Sequence, residues 1–205
     1  MTGEPHSLLE HARFHPLDQP PKASPWNQGE LADLLPSDLE LRPAAVLVGL
    51  VKRTDGPTLF LTRRTDTMRQ HAGQIAFPGG GADVGDASAV ITALRETEEE
   101  VGIAPRLIAP LGYLDPYATI TGFRILPVVA WIAPEFELKL QREEVAEAFE
   151  VPLEFVLEAK NAQKVRAEFR GRMRHYWQFD YGPHRIWGAT AAMILNLRRF
   201  LERTS

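Results

Sequence analysis

GQIAFPGGGADVGDASAVITALRETEEEVGI, residues 73–103, is the stretch that decides the fold. Its first third reads as a short strand that ends in a glycine turn at Gly79–Gly81. Residues 86–102 then give the clearest helix of the chain. Asp86 or Ser88 caps it, Val90, Leu94 and Val101 recur at helical spacing, and Gly102 stops it. Strand, glycine turn and capped helix in this order predict a helix packed on a sheet.

The rest of the chain extends the pattern. Residues 44–53 are rich in β-branched side chains, and after a turn at residues 54–57 the segment 58–63 reads as the return strand of a hairpin. Strands are expected near residues 107–114, 118–121 and 125–132. Residues 143–159 read as helical, bent or divided at Pro152, 164–169 and 174–179 as strands, and 186–204 as a closing helix. The proline-rich residues 1–40, with one short helix near residues 29–35, are expected to form an arm against a domain of residues 41–205.

The chemistry centres on Arg95–Ile103. Residues three and four apart share a helix face, so Glu96, Glu99 and Glu100 project toward one point. Alone, three glutamates on a helix read as a solvated acidic face. Here they follow a strand and FPGG, within R-E-x-x-E-E-x-G and a following aliphatic residue. Close carboxylates repel one another unless a cation sits among them, and hard cations such as Mg2+ or Mn2+ take oxygen ligands and bridge to phosphates. Arg95 can orient one carboxylate, and bare glycine backbone, Gly80 in particular, permits close approach of a metal or phosphate.

Residues 80–103 resemble the Nudix box, G-x5-E-x7-R-E-U-x-E-E-x-G-U with U aliphatic. Arg95, Glu96, Glu99, Glu100, Gly102 and Ile103 match. Thr97 stands at a usually aliphatic position. The first box glutamate falls on Ala87 counted from Gly81, or on Asp86 counted from Gly80 with one extra residue before Arg95. Upstream, LTRRTDTMRQHAGQIAFPGG (residues 61–80) is similar to the added signature of the coenzyme A diphosphatase branch. Leu61, Thr62, Arg64, Arg69, His71, Gly73, Gln74, Phe77, Pro78, Gly79 and Gly80 match, while Phe60, Thr65 and Met68 depart from it. Asp83 and Asp86 supply the branch's D-x-x-D, and residues 144–155 and 186–194 resemble it further.

The resemblance implies an α+β fold, the Nudix-type α/β/α sandwich with a mixed β-sheet. It implies hydrolysis of the diphosphate of coenzyme A or a derivative to 3′,5′-ADP and 4′-phosphopantetheine, with Mg2+ or Mn2+ held by Glu96, Glu99, Glu100 and Gly80. Glu96, Arg95 and Glu99 are the expected catalytic group; the proton acceptor is Glu96 or a later carboxylate, Glu143 or Glu144. Arg63, Arg64, Arg69 and His71 place positive charge where the substrate phosphates would lie. Two alternatives stay open: a diphosphatase for ADP-ribose or another nucleoside diphosphate derivative, and a nucleotide-binding regulatory domain without catalysis.

Composition narrows the setting. In 205 residues, 44% hydrophobic and 24% charged, there is material for a substantial core. The net charge of −4 argues against nucleic acid as a main partner. The absence of cysteine removes disulfides, thiolate metal sites and thiol nucleophiles. The opening residues show no signal pattern, and the longest apolar runs are about half a bilayer span, so a cytoplasmic protein without a membrane partner is expected.

Overall fold

The computed structural model describes Leu9 and residues 11–36, 38–66 and 72–202. Its strands begin with β1 (Arg42–Arg53), β2 (Gly56–Arg64), β3 (Ile75–Ala76) and β4 (Gly79–Gly81). Helix α1 (Ala89–Val101) follows, then β5 (Ile108–Tyr113), β6 (Tyr117–Ala118), β7 (Phe123–Ile132) and β8 (Val145–Pro152). The one-turn helix α2 (Leu153–Leu157) leads to β9 (Gln163–Phe169), β10 (Arg172–Tyr181), β11 (His184–Trp187) and helix α3 (Gly188–Glu202).

The main sheet has the order β3-β2-β1-β7-β5, with β8 on β2, β4 on β1 and β6 on β7; β9, β10 and β11 form a second, antiparallel sheet. β1 pairs in parallel with β7 and antiparallel with β2, so the main sheet is mixed. The run 44–51 of β1 is buried throughout, as expected of a central strand covered on both faces. On one face Val46, Val48, Leu50, Leu59 and Leu61 pack with Ile194 and Leu197 of α3 and with Phe179 and Ile186. On the other, Ala45, Leu47, Val51 and Phe60 pack with Ala93 and Val101 of α1. The sheet therefore lies between α1 and α3, an α+β sandwich of three layers.

Several expectations change. The glycine turn is itself a strand: Gly79, Gly80 and Gly81 pair with Val46, Ala45 and Ala44. Gly79 has φ +150°, and a Cβ there would run into the carbonyl of Ala45 and the backbone of Val46, so only glycine pairs this closely. Residues 143–159 are not one helix but β8 followed by α2. Arg63 pairs with Glu147 and Arg64 with Val145, leaving Ala146 as the extra residue of a β-bulge. The bulge returns Val145 and Ala148 to the same core, which imitates the i, i+3 spacing of a helix. The closing helix starts at Gly188, not 186, because Ile186 is in register with Phe179 in β11 and Gly188 turns the chain with φ +62°. The strand expected at 118–121 is reduced to Tyr117–Ala118.

The described part of the proline-rich segment lies on the sheet. His15 and Tyr113 exchange backbone bonds of 3.0 and 2.9 Å at the edge of β5. Asn27 gives and takes bonds of 2.8 Å with the backbone of Ala118. The expected helix near residues 29–35 is a 3-10 turn at Gln28–Leu31. No helix among the described residues is long and apolar enough to cross a membrane.

Candidate active site

The Ser88 hydroxyl accepts the Ile91 N–H at the start of α1, and Gly102, left-handed at φ +78°, ends it. The helix buries Ala93, Thr97, Glu100 and Val101 against the sheet. Thr97 is tolerated where an aliphatic residue is usual because its hydroxyl donates to the Ala93 carbonyl at 2.6 Å. The three glutamates differ in depth. Glu100 is buried at 6% exposure, Glu96 is half-buried and Glu99 is exposed.

β4 forms the floor. A Cβ on Gly80 would stand 2.6 Å from the Glu96 carboxylate, so the bare backbone is what lets Glu96 lie flat on this strand. One residue earlier the Gly79 N–H donates to Glu100 Oε2 at 3.3 Å. Adjacent glycines of one strand thus meet two glutamates of one helix.

Arg95 ties the cluster together. Its Nη1 donates to Glu96 Oε1 at 2.9 Å and to Glu99 Oε2 at 3.0 Å. Its Nη2 donates to the Gly81 carbonyl at 3.1 Å and to Asp86 Oδ2 at 3.0 Å, and its Nε to Asp86 Oδ1 at 3.3 Å. Arg95 holds the Asp86 carboxyl down to about 2, helped by the Asp83 N–H. Asp86 in return raises the Arg95 pKa further. The sequence marks Asp86 as a candidate cap, as a stand-in for the first box glutamate and as part of D-x-x-D, but not as the partner of Arg95.

Strand alternation separates the two neighbouring arginines of β2. Arg64 lies on the α1 side, close enough for its charge to act on Glu100, and its Nε is buried without a hydrogen-bond partner among the described residues. Arg63 is not brought to the glutamates: it faces the other side and pairs with Asp66 at 3.4 Å and Glu147 at 3.5 Å. Glu144 is exposed in the turn that enters β8, and its charge reaches both Glu96 and Glu100. Its backbone is fixed there, since the Thr65 N–H donates to the Glu144 carbonyl at 2.9 Å and the Gln141 N–H to the Glu100 carbonyl at 2.9 Å. Glu143 is exposed, its carbonyl accepting from the Thr65 hydroxyl at 3.0 Å. Arg69 and His71 lie outside the described residues.

The electrostatics call for a cation. Burial pushes Glu100 up to about 8; Arg64 and the Gly79 N–H oppose the rise, and Glu96 and Glu144 add to it. Glu96 is raised by burial against the pull of Arg95, with Glu99 and Glu144 adding. Among the described residues no three acidic or histidine side chains converge as a finished ligand set; Glu96 and Glu99 are drawn onto Arg95 instead. A buried carboxylate crowded by two others, beside a strand without side chains, still fits a hard divalent cation.

Several known proteins are similar to this chain. The NUDIX domain family matches residues 41–171. A protein of Cronobacter sakazakii named uncharacterized Nudix hydrolase NudL is 42% identical over 161 residues, 78% of this chain and 83% of that one. The protein of the same name in Escherichia coli K12 is 41% identical over 159 residues, 78% and 82% of the two chains. Among solved structures, the MutT protein of Methanosarcina mazei is similar over 82% of this chain and 96% of its own, at 22% identity and a TM-score of 0.48. An Ap4A hydrolase of C. elegans is similar over 54% and 80%, at 20% identity and a TM-score of 0.48.

Proposed function

The chain belongs to the Nudix hydrolase family, and from that premise we propose that it hydrolyses the diphosphate bond of coenzyme A or a derivative with Mg2+ or Mn2+. The products are 3′,5′-ADP and 4′-phosphopantetheine or its acylated form. One observation carries the reading: the charge of Arg64, a matched position of the coenzyme A signature, acts on buried Glu100, and among the described residues its Nε has no hydrogen-bond partner. A guanidinium suited to a phosphate thereby acts on the carboxylates that would hold a metal.

Glu96 and Glu100, with Glu99 and the backbone of Gly80 alongside, would hold the cation. Bound there, it supplies neutralisation of phosphate charge and a lowered pKa for water. The residues of the chain do the rest. Arg95 fixes Glu96 and Glu99 by 2.9 and 3.0 Å bonds, so their carboxylates do not have to reorganise as charge develops. Glu144, exposed and already acting on Glu96 and Glu100, takes the proton of the attacking water. The water oxygen bonds to one phosphorus, and the bridging oxygen leaves with the other phosphate. Arg64 binds a substrate phosphate, and the signature assigns the same task to Arg69 and His71.

The test is a panel of coenzyme A, dephospho-coenzyme A, ADP-ribose, a dinucleoside polyphosphate and a nucleoside triphosphate, assayed with Mg2+ or Mn2+, the products identified by mass. Coenzyme A should have the highest kcat/KM and yield 3′,5′-ADP. A much higher value for ADP-ribose or a triphosphate overturns the coenzyme A assignment. Absence of turnover across the panel favours a binding domain without catalysis.

A further inference from the structure

Exposed turns are ordinarily mobile, because water rather than the chain satisfies their backbone groups. The turn that carries Glu144 is built otherwise. The Glu143 N–H donates to the side-chain oxygen Oε1 of Gln141 at 3.0 Å. The N–H groups of Glu144 and Val145 both donate to the Gln141 carbonyl, at 3.0 and 2.8 Å. On the acceptor side, the Glu143 carbonyl takes the Thr65 hydroxyl at 3.0 Å, and the Glu144 carbonyl takes the Thr65 N–H at 2.9 Å. Glu143 and Glu144 are exposed, yet their backbone is pinned from both sides.

Both pins are anchored in the site itself. Gln141 gives its own N–H to the Glu100 carbonyl at 2.9 Å, which ties the turn to the helix residue that would hold the metal. Thr65 is buried and directly follows Arg64, the last residue of β2. Val145, in register with Arg64, closes the turn by burying its side chain in the core beneath α1. Glu144 is therefore carried on a frame shared with Glu100 and Arg64, and its charge acts on Glu96 and Glu100. A proton acceptor held in this way does not have to search for the water, and misplacement near 1 Å costs on the order of a hundredfold in rate.

We infer that the Thr65 hydroxyl and the Gln141 side chain are positioning groups that hold Glu144 within reach of the attacking water. The inference rests on the reading of Glu144 as the proton acceptor. The test is steady-state kinetics at saturating Mg2+ on coenzyme A or, should the panel rank it higher, ADP-ribose, with folding checked by thermal melts. Thr65→Val keeps the shape and loses the hydroxyl, and the exposed Glu143 carbonyl then turns to water. Its kcat should fall about tenfold, less than a full displacement would cost because the Thr65 N–H bond remains, with KM changed by less than about twofold. Thr65→Ser, which keeps the hydroxyl, should stay within about threefold of wild type, and Gln141→Met should fall about as far as Thr65→Val. Glu144→Gln alone should lose roughly 10²–10⁴-fold in kcat. Adding Thr65→Val to it should then cost less than about twofold more, since groups that act as a unit are not additive. A folded Thr65→Val with wild-type kcat, a serine variant as slow as valine, or the full further loss in the Glu144→Gln background overturns the positioning role. So does a rise in KM at unchanged kcat, which would put the hydroxyl in the service of Arg64. Should Thr65→Val fail to fold, Gln141→Met, at a half-buried site, carries the same comparisons. Wild-type kcat in Glu144→Gln refutes the proton-acceptor reading itself, an outcome seen without any change at Thr65 or Gln141.

Discussion

Asp86 and Arg95 face each other through paired hydrogen bonds, Nε to Oδ1 at 3.3 Å and Nη2 to Oδ2 at 3.0 Å. The other side of the same guanidinium carries Glu96 and Glu99. Among the described residues Asp86 meets the glutamates of the cluster only through this arginine, and it precedes α1 by three residues.

Asp86 should accordingly act as a positioning residue. Asp86→Asn removes charge from the fork, and outer-shell changes of this kind cost about ten- to a hundredfold in metal affinity or activity. The expected result is a weaker apparent affinity for Mg2+ together with lower kcat, and recovery of part of the loss at high Mg2+. A variant with wild-type Mg2+ dependence would deprive the Asp86–Arg95 pair of its role.

Gly80→Ala tests the floor of the site. The added methyl would stand 2.6 Å from the Glu96 carboxylate, and Gly80 has no positive φ, so alanine suits the backbone. The carboxylate must move, and displacements near 1 Å cost on the order of a hundredfold in rate. We expect that loss with a nearly unchanged melting temperature. Full activity would mean that Glu96 works elsewhere than on β4.

Glu100 makes the metal-free protein sensitive to pH. Its folded pKa of about 8 exceeds the ordinary 4.5, so the folded state binds the proton more tightly than the unfolded chain. That contribution to stability is complete below pH 4.5 and is lost as the pH rises to about 8. In chelator the melting temperature should decline across this window, less steeply in Glu100→Gln, and saturating Mg2+ should restore it at the alkaline end. Both Glu100→Gln and Glu96→Gln should lose nearly all turnover while remaining folded. Identical slopes in wild type and Glu100→Gln, or full turnover in excess chelator, would remove the metal from these residues.

Arg64 and Arg63 form a natural pair of opposites. An arginine bound to phosphate contributes roughly 1.5–3 kcal/mol, and its removal weakens binding about ten- to a hundredfold. A partly exposed ion pair such as Arg63–Glu147 contributes about 0–1 kcal/mol. Arg64→Ala should therefore lose far more kcat/KM on coenzyme A than Arg63→Ala. Running Arg64→Ala and Arg69→Ala on dephospho-coenzyme A as well locates the contact. Loss on coenzyme A alone marks the 3′-phosphate, and loss on both substrates marks the diphosphate. A larger effect at Arg63 would reverse the assignment of sides.

Much of this was legible before any coordinates. The stop at Gly102 and the shared side of Glu96, Glu99 and Glu100 follow from helical spacing, β1 follows from its unbroken apolar run, and of the two candidate caps, Asp86 and Ser88, the structure uses Ser88. What sequence left open depends on partners distant along the chain. Val145 and Ala148 looked helical because a bulge against Arg63 and Arg64 puts them on one face. Burial separates Glu100 from Glu99 although helical spacing treats them alike, because only the former meets β4. That Arg63 and Arg64 point apart was implicit in β2, since consecutive strand residues alternate.

The bridge between His15 and Tyr113 bears on assembly in solution. β5 is an outer strand of the main sheet, and an outer strand with free amides and carbonyls invites a neighbouring molecule to add itself. Here Tyr113 has both backbone groups engaged by His15. A side chain on Gly112, whose φ is +158°, would strike Phe14 and the His15 carbonyl, so the cover fits at this position only because that residue is bare. At Tyr113 the proline-rich segment thus occupies the backbone groups that a strand of another molecule would need.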